Sequence, residues 1–151
     1  MGNTQANGFG KKTTAEEVIR DADLSGKVVV ITGANSGIGL ETARVLALHK
    51  AEVVMCCRSM DKGEKALQGI QAKHAEAQLS LQQLDLASLA SVRKAAAELA
   101  EKLEKIDILI NNAGIMATPY GNTKDGIEQQ LGTNHIGHFL FTNLLLETVK
   151  A

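Results

Sequence analysis

The sequence predicts an α/β fold, a doubly wound parallel sheet that is truncated after about four strands. Short apolar runs alternate with helical segments along the chain, which is the pattern of successive βαβ units. Aromatic residues make up only 3% of the sequence, so the core has to be built from Val, Ile, Leu and Ala. That composition is typical of parallel sheets that are buried on both faces. The length of 151 residues corresponds to one ordinary domain.

The predicted elements begin within a tail. Residues 1–24 are expected to be flexible apart from a short helix over about 15–21, because Thr14 and Glu17 have the spacing of a capping box. From residue 25 to residue 151 we expect one incomplete domain. A β-branched run predicts its first strand, and Ser88 stands where the N-cap of its clearest helix is expected. The predicted strands cover about 28–31, 52–56, 79–84 and 106–110. The first predicted helix of the domain follows residue 39 and ends near residue 49, and the others cover about 60–74, 89–103 and 128–150.

Composition and charge exclude several kinds of protein. The net charge of −1 comes from interspersed acidic and basic residues, so no positive surface is expected for nucleic acid. No window has the roughly 18 to 20 apolar residues that span a bilayer, and residues 1–24 contain no recognisable signal peptide. Cys56 and Cys57 are the only cysteines, and their adjacency argues against a disulfide framework. These features predict a soluble, cytoplasmic protein.

A glycine-rich turn joins the first predicted strand to the following helix. Residues 32–39 read TGANSGIG, with glycines in the spacing G-x-x-x-G-x-G. Glycines let a backbone turn tightly and approach a pyrophosphate, and the helix N-terminus offers free N–H groups and a positive dipole end. We therefore predict a Rossmann-type dinucleotide site, although glycines that serve only turning and close packing would leave the same pattern. The predicted cofactor-binding residues of this turn are Gly33, Asn35, Ser36, Gly37, Ile38 and Gly39.

Three motifs in order give the sequence a family resemblance. The glycine-rich turn is followed by Asp85-Leu86 after the third predicted strand and by Asn111-Asn112-Ala113-Gly114 after the fourth. In this order the motifs resemble the N-terminal portion of the short-chain dehydrogenase/reductase family. The stretches 32–41, 57–59 and 133–139 further resemble its retinol dehydrogenase and WW-domain oxidoreductase branch. The resemblance covers about residues 24–151 and implies an NAD(P)-binding Rossmann domain.

The resemblance and the charges together predict how the adenine end of a cofactor would be held. By resemblance, the Asp85 carboxylate would bond the adenine amino group while the backbone of Leu86 packs nearby, unless Asp85 simply precedes a helix start. Arg58 follows the second predicted strand, where an acidic residue would select a ribose 2′-hydroxyl and a basic residue a 2′-phosphate. A guanidinium can bond a phosphate through two parallel N–H groups. We therefore expect NADP(H) rather than NAD(H), with a solvated surface arginine as the alternative.

The resemblance also assigns roles around the fourth strand. Asn111, Ala113 and Gly114 would line the cofactor ribose and brace the central strands. For Asn112, a purely structural role is at least as well supported as a cofactor contact. Asn134 matches the catalytic-motif asparagine, which in this family supports a water-linked proton relay to a lysine.

The tyrosine and lysine that carry out the family's hydride-transfer chemistry are not found after Asn134 in this sequence. Tyr120 and Lys124 have the spacing Tyr-x-x-x-Lys, but they precede Asn134, and the surrounding Pro and Gly residues predict a loop. We predict that this pair is not catalytic. His135 and His138 lie three residues apart, but no Cys, Asp or Glu cluster completes a set of ligands, so no metal is predicted.

Three hypotheses about function remain at this point. In the first, the chain is the NADP(H)-binding portion of an oxidoreductase that transfers hydride between NADP(H) and a carbonyl or alcohol, with retinoid- or steroid-like substrates suggested by the branch. In the second, it is a catalytically inactive, truncated dinucleotide-binding or interaction protein, which self-associates or pairs with a full-length relative. In the third, it is an incomplete product that folds poorly. The missing tyrosine and lysine leave open whether the chain is itself an enzyme.

Overall fold

The computed structural model describes residues 8–150, which form a parallel sheet with helices on both faces. The strands are β1 (Val28–Thr32), β2 (Glu52–Cys57), β3 (Leu79–Gln83) and β4 (Ile108–Ile110). The α-helices are α1 (Ala15–Val18), α2 (Gly37–Leu48), α3 (Met60–Gln71), α4 (Leu89–Lys102), α5 (Gln129–Leu131), α6 (Gly137–Leu144) and α7 (Leu146–Lys150). A π-helical turn, Gly132–Ile136, lies between α5 and α6. The predicted α/β class is confirmed.

The order of the strands in the sheet is β3-β2-β1-β4, and every neighbouring pair is parallel. β1 therefore lies between β2 and β4, and the strand order reverses on its two sides. The register places Val30 of β1 beside Val54 of β2 and beside Leu109 of β4. A reversal of this kind opens a crevice at the carboxyl ends of the strands, where open α/β sheets bind ligands.

Successive residues of the central strands point to opposite faces of the sheet and build two cores. On one face, Val30 and Val54 pack with α4 and with Phe141 of α6. On the other face, Val29 and Met55 pack with α2 and α3. Each fully buried side chain of this size stabilises the fold by about 1.5–3 kcal/mol. Burial on both faces explains why the strand sequences are continuous apolar runs rather than alternating ones.

The N-terminal segment contacts the domain through α1. Thr14 and Glu17 form the predicted capping box, but α1 ends at Val18 and is shorter than the predicted helix over 15–21. The Arg44 guanidinium of α2 pairs with the Glu16 carboxylate at 3.1 Å, so part of the predicted tail is docked on the domain. Residues 1–7 of that tail lie outside the described residues.

The prediction of one long helix over 128–150 is wrong. The chain forms α5, the π-helical turn, α6 and α7 in succession, and α6 ends at Leu144, with Leu145 as its C-cap. Glycines allow close contacts along this segment, because a Cβ on Gly132 would overlap the side chain of Thr123 and one on Gly137 would lie 2.5 Å from the Leu86 carbonyl oxygen. Within residues 8–150, no helix is long and apolar enough to cross a bilayer.

Candidate functional site

An open cleft of about 460 Å³ lies at the carboxyl ends of the strands, at the reversal between β1 and β4. Its walls come from the turns that follow all four strands, together with side chains of the segment 129–133. The predicted site residues in these walls are Gly33, Asn35, Ser36, Ile38, Gly39, Arg58, Asp85, Leu86, Ala113 and Gly114. Gly37, Asn111 and Asn134 do not line the cleft. The structure thus brings most of the predicted residues together at one edge of the sheet.

The glycine-rich turn lacks side chains where the chain approaches itself. Gly33 has a φ of +67°, which other residues rarely adopt, and a Cβ there would lie 2.9 Å from the Ala113 backbone. A Cβ on Gly39 would overlap the Asn112 amide. At the N-cap of α2, the Ser36 side chain makes no capping hydrogen bond. The first N–H groups of α2 are therefore available to an anionic ligand in the cleft.

Thr32, at the end of β1, connects the glycine-rich turn to the neighbouring motifs. Its Oγ1 accepts the N–H groups of Asn112 and Ala113, each at 3.0 Å, and lies 2.8 Å from His138 Nε2. Because both lone pairs are occupied, the hydroxyl donates its own proton to Nε2. His138 therefore carries its proton on Nδ1, which donates to the Asn134 carbonyl at 3.0 Å. Burial lowers the pKa of His138 and favours the neutral ring that this network requires.

The two asparagines after β4 point in different directions. The Asn111 amide donates to Thr142 Oγ1 at 2.9 Å, which draws its side chain away from the cleft. Asn112 lines the cleft, and its amide donates to the Thr32 carbonyl at 2.9 Å. This corrects the expected position of Asn111, because neighbouring residues at the end of a strand present their side chains to opposite sides.

Asp85 lines the cleft at the turn between β3 and α4. Its Oδ1 accepts the Ala87 N–H at 3.1 Å, and its Oδ2 accepts the Lys124 ammonium at 3.2 Å. The Asp85 N–H in turn donates to Ser91 Oγ at 3.0 Å. A carboxylate has about four acceptor positions, so these contacts orient the group and leave capacity for a further donor, such as an amino group.

Arg58 follows β2 on the same edge of the sheet and is exposed. Among the described residues that form the walls, Arg58 is the only cationic side chain and Asp85 the only acidic one. Cys57, beside Arg58, is buried, and burial raises the pKa of its thiol, so it adds no negative charge. The arrangement places a single guanidinium where an anionic group of a ligand can reach it.

Asn134 lies at the centre of the π-helical turn and does not line the cleft. Its Oδ1 accepts the Ile115 N–H at 2.8 Å, and its Nδ2 donates to the Ile115 carbonyl at 2.7 Å. This pair of bonds ties the π-helical turn to the loop that follows β4. Turns of this kind are rare and are frequently found at functional sites.

Tyr120 and Lys124, which have the spacing Tyr-x-x-x-Lys, have different surroundings. Residues 119–124 contain no helical turn, as predicted. Tyr120 is 86% exposed and does not line the cleft, whereas the Lys124 ammonium pairs with Asp85. The observed partner of the Lys124 ammonium is therefore a carboxylate of the cleft and not the Tyr120 hydroxyl.

The histidines of the last helical segment are engaged in packing and hydrogen bonding. Both ring nitrogens of His138 have protein partners, and the ring of His135 lies against that of Phe139 with centroids 6.2 Å apart. In the part of the chain that the structure describes, no three metal-ligating side chains come together.

Several residues of the cleft were not assigned to it from the sequence. Ala87 and Ile115 directly follow predicted motifs, so extending each motif by one residue would have found them. Thr133 precedes Asn134, and its buried hydroxyl has no hydrogen-bond partner among residues 8–150. An orphaned hydroxyl in a glycine-cradled cleft fits a polar ligand such as a dinucleotide. The further residues of the walls are Thr32, Cys56, Cys57, Leu84, Ala87, Asn112, Ile115, Gln129 and Thr133.

The order of these motifs along the chain matches one known family. The model of that family, described as short chain dehydrogenase, matches residues 27–151. The chain belongs to this family. The resemblance that the three motifs predicted is therefore confirmed, and the family is one whose members bind NAD(H) or NADP(H).

Curated relatives of the chain include retinol dehydrogenases. Human retinol dehydrogenase 13 is 48% identical over 130 residues, which cover 86% of this chain and 39% of the relative. Human retinol dehydrogenase 12 is 49% identical over 130 residues, which cover 86% of this chain and 41% of the relative. The chloroplastic short-chain dehydrogenase TIC 32 B of Brassica napus is 41% identical over 150 residues, which cover 99% of this chain and 47% of the relative. The chain thus spans less than half the length of these relatives.

Solved structures with similar sequences share the fold of this chain. An uncharacterised protein from Mycobacterium paratuberculosis superposes with a TM-score of 0.75 at 48% identity, covering 84% of this chain and 44% of that one. The RhlG/NADP active-site complex of Pseudomonas aeruginosa gives a TM-score of 0.70 at 28% identity, and the match covers 83% of this chain and 47% of that one. These similarities confirm the predicted Rossmann-type architecture.

Proposed function

We propose that this chain forms the NADP(H)-binding portion of an oxidoreductase that transfers hydride between NADP(H) and a carbonyl or alcohol. The observation that carries the proposal is the cleft, in which the glycine-rich turn, Asp85 and the small residues Ala113 and Gly114 meet at the carboxyl ends of the strands. Membership of the short chain dehydrogenase family favours an oxidoreductase over a non-catalytic interaction protein.

Each end of the proposed cofactor has candidate partners in the cleft. The N–H groups at the start of α2 would hold the pyrophosphate, and Asp85 would accept a hydrogen bond from the adenine amino group. Thr133 lines the cleft and supplies a hydroxyl without a hydrogen-bond partner among the described residues. The bound cofactor would supply or accept the hydride, whereas these residues of the chain bind and orient it.

Arg58 supports a preference for NADP(H). It is the cationic side chain that follows β2, and no acidic residue stands between Val53 and Met60 to select a free 2′-hydroxyl. A guanidinium bonds a phosphate at two points, and it finds no equivalent partner on a hydroxyl. The NADP complex of the related Pseudomonas aeruginosa protein is consistent with this preference.

The role proposed for Asn134 is indirect. Both polar atoms of its side chain bond the Ile115 backbone, and its own backbone carbonyl accepts a hydrogen bond from His138. In the family, this asparagine supports a proton relay to the catalytic lysine. A retinoid- or steroid-like alcohol as the substrate is proposed from the similarity to retinol dehydrogenases alone. The cytoplasmic location stays a prediction from the sequence.

The cofactor proposal is tested by isothermal titration calorimetry of the purified chain, once with NADPH and once with NADH. We expect NADPH to bind more tightly. Replacing Arg58→Leu should weaken NADPH binding by about ten-fold or more, because a charge-assisted hydrogen bond contributes about 1.5–3 kcal/mol. The affinity for NADH should change less than about two-fold, since that cofactor has no 2′-phosphate.

Arg93→Leu is the matched control, because Arg93 is an exposed arginine of α4 that does not line the cleft. This variant should bind both cofactors as the parent does. Equal losses for NADPH and NADH in Arg58→Leu would contradict the assigned preference. Failure of the parent chain to bind either cofactor would overturn the proposed site itself.

A further inference from the structure

Residues 121–128, here called the docking loop, are held against the turn between β3 and α4 by three contacts. The Lys124 N–H donates to the Ala87 carbonyl at 3.1 Å, and the Leu89 N–H donates to Asp125 Oδ2 at 2.8 Å. The Lys124 ammonium contacts Asp85 Oδ2 at 3.2 Å. Two of these contacts use backbone groups, so the position of the loop does not depend on the ion pair alone.

The docking loop is also ordered internally. The Thr123 N–H donates to the Ile127 carbonyl at 2.8 Å, and Thr123 Oγ1 accepts the N–H groups of Asp125 and Ile127. Thr123 packs where Gly132 lacks a Cβ, which joins the loop to the π-helical turn. Lys124 is therefore presented to Asp85 from a fixed backbone.

The pair between Lys124 and Asp85 is better suited to orienting a side chain than to stabilising the fold. The Lys124 side chain is 71% exposed, and exposed ion pairs are strongly screened by water. The Asp85 side chain is far less exposed, and its two oxygens are divided between Ala87 and Lys124. Rotation of the carboxylate would break at least one of these contacts, so the remaining acceptor positions keep a constant direction.

We propose that Lys124 is a positioning residue for the adenine end of the dinucleotide, acting through the Asp85 carboxylate. This inference rests on the proposed cofactor site, in which Asp85 accepts a hydrogen bond from the adenine amino group. It gives a function to a lysine that is outside the cleft wall and has no part in a tyrosine–lysine pair.

The first test compares NADPH affinity in three lysine variants of the full chain. Lys124→Met keeps the length of the side chain but removes the ammonium, and it should weaken NADPH binding by about three- to five-fold. Lys124→Arg retains a cation that can reach Asp85 and should restore the affinity to within two-fold. Lys94→Met is the control, because Lys94 is a 75% exposed lysine of α4 that pairs with Glu98 and lies away from the cleft.

The second test separates an effect on adenine from a general effect of charge. The probe is an NADPH analogue in which unsubstituted purine replaces adenine, so it keeps all the phosphates and lacks the amino group. Lys124→Met should leave the affinity for this analogue unchanged. In an Asp85→Asn background, Lys124→Met should no longer weaken NADPH binding. An equal loss for the purine analogue, a loss that persists beside Asp85→Asn, or a loss matched by Lys94→Met would overturn the inference. A parent chain that binds neither compound would instead overturn the proposed cofactor site.

Discussion

Thr32, at the start of the glycine-rich turn, joins that turn to the segment after β4 and to α6. Its single hydroxyl accepts two backbone N–H groups from the segment after β4 and donates to His138 Nε2. Through His138 Nδ1, the same network reaches the carbonyl of Asn134 in the π-helical turn. A buried polar network is stable only when every donor and acceptor is satisfied, and here each member has its partner. The end of β1 and the π-helical turn are thereby held in a fixed relation.

The protonation of His138 gives this network a dependence on pH. Burial holds the pKa of His138 below its ordinary value of 6.5 in the folded state. A charged ring would also have to donate from both nitrogens, and Thr32 Oγ1 has no lone pair left to accept. Between the two values the unfolded chain binds more protons than the folded one. Stability is therefore complete above about pH 6.5 and falls as the pH drops toward the lowered pKa, by about 1.4 kcal/mol for each unit of depression.

This dependence is measured as the free energy of unfolding between pH 5 and pH 8 by denaturant titration. His138→Leu should be less stable by about 1–3 kcal/mol at pH 7.5, since it leaves the buried partners unsatisfied, and it should lose the decline on acidification. His74→Gln, which changes a histidine after the end of α3, should keep that decline. An unchanged decline in His138→Leu would show that another group causes it.

At the level of single residues, the sequence predicted the edge of the sheet at which the site lies better than it predicted side-chain directions. The motif glycines, Asp85 and Arg58 each follow a predicted strand, so their place at the carboxyl ends of the sheet could be predicted from the sequence pattern. The sequence did not predict that Asn112, and not Asn111, lines the cleft. The direction of each side chain depends on where the short strand β4 ends.

Among the elements, the segment after β4 differs most from its prediction. A helical pattern of apolar residues over 128–150 is the same for a continuous α-helix and for a helix interrupted by a π-helical turn. The distinguishing signal was the pair Gly132 and Gly137, which permits close contacts with Thr123 and with the Leu86 carbonyl. These contacts are formed by parts of the chain distant in sequence, and local periodicity carries no information about them.

Replacing Gly137→Ala tests the close packing of α6 on the cleft wall. A Cβ there would lie 2.5 Å from the Leu86 carbonyl oxygen and 3.1 Å from the Leu86 Cβ, so backbone has to move. We expect a loss of about 1–3 kcal/mol in the free energy of unfolding despite the better helix propensity of Ala. Because Leu86 lines the cleft, dinucleotide affinity should fall as well.

Gly69→Ala is the matched control for this substitution. Gly69 also lies within a helix, α3, but a Cβ there would meet no atom within 4 Å. It should raise the free energy of unfolding by up to about 1 kcal/mol through helix propensity. If the two variants changed stability in the same direction, the contact with Leu86 would not be the cause of the effect at Gly137.

For the molecule as a whole, the sheet topology could be predicted from general rules of α/β folds, whereas the apolar side chains that are exposed on its surface could not. Alternating strands and helices require right-handed crossovers and a parallel sheet, and the glycine-rich turn after β1 indicates the strand beside the crevice. Among the described residues, β4 pairs only with β1, so it forms one edge of the sheet. An unpaired strand edge beside exposed apolar side chains promotes association between chains.

Self-association is the prediction that follows from this edge. Phe139 of α6 is 62% exposed, and α6 packs with α4 on the face of the sheet opposite α2. Sedimentation velocity of the purified chain should show an apparent mass that rises with concentration. Phe139→Asp should reduce that rise, because it replaces an exposed apolar side chain with a charged one. Val18→Asp changes a 49% exposed side chain of α1, which contacts α2 on the other face, so it should leave association unchanged. Equal effects of both variants would indicate a general response to added charge, and a chain that stays monomeric would show that neither β4 nor α6 provides a contact strong enough to join two copies.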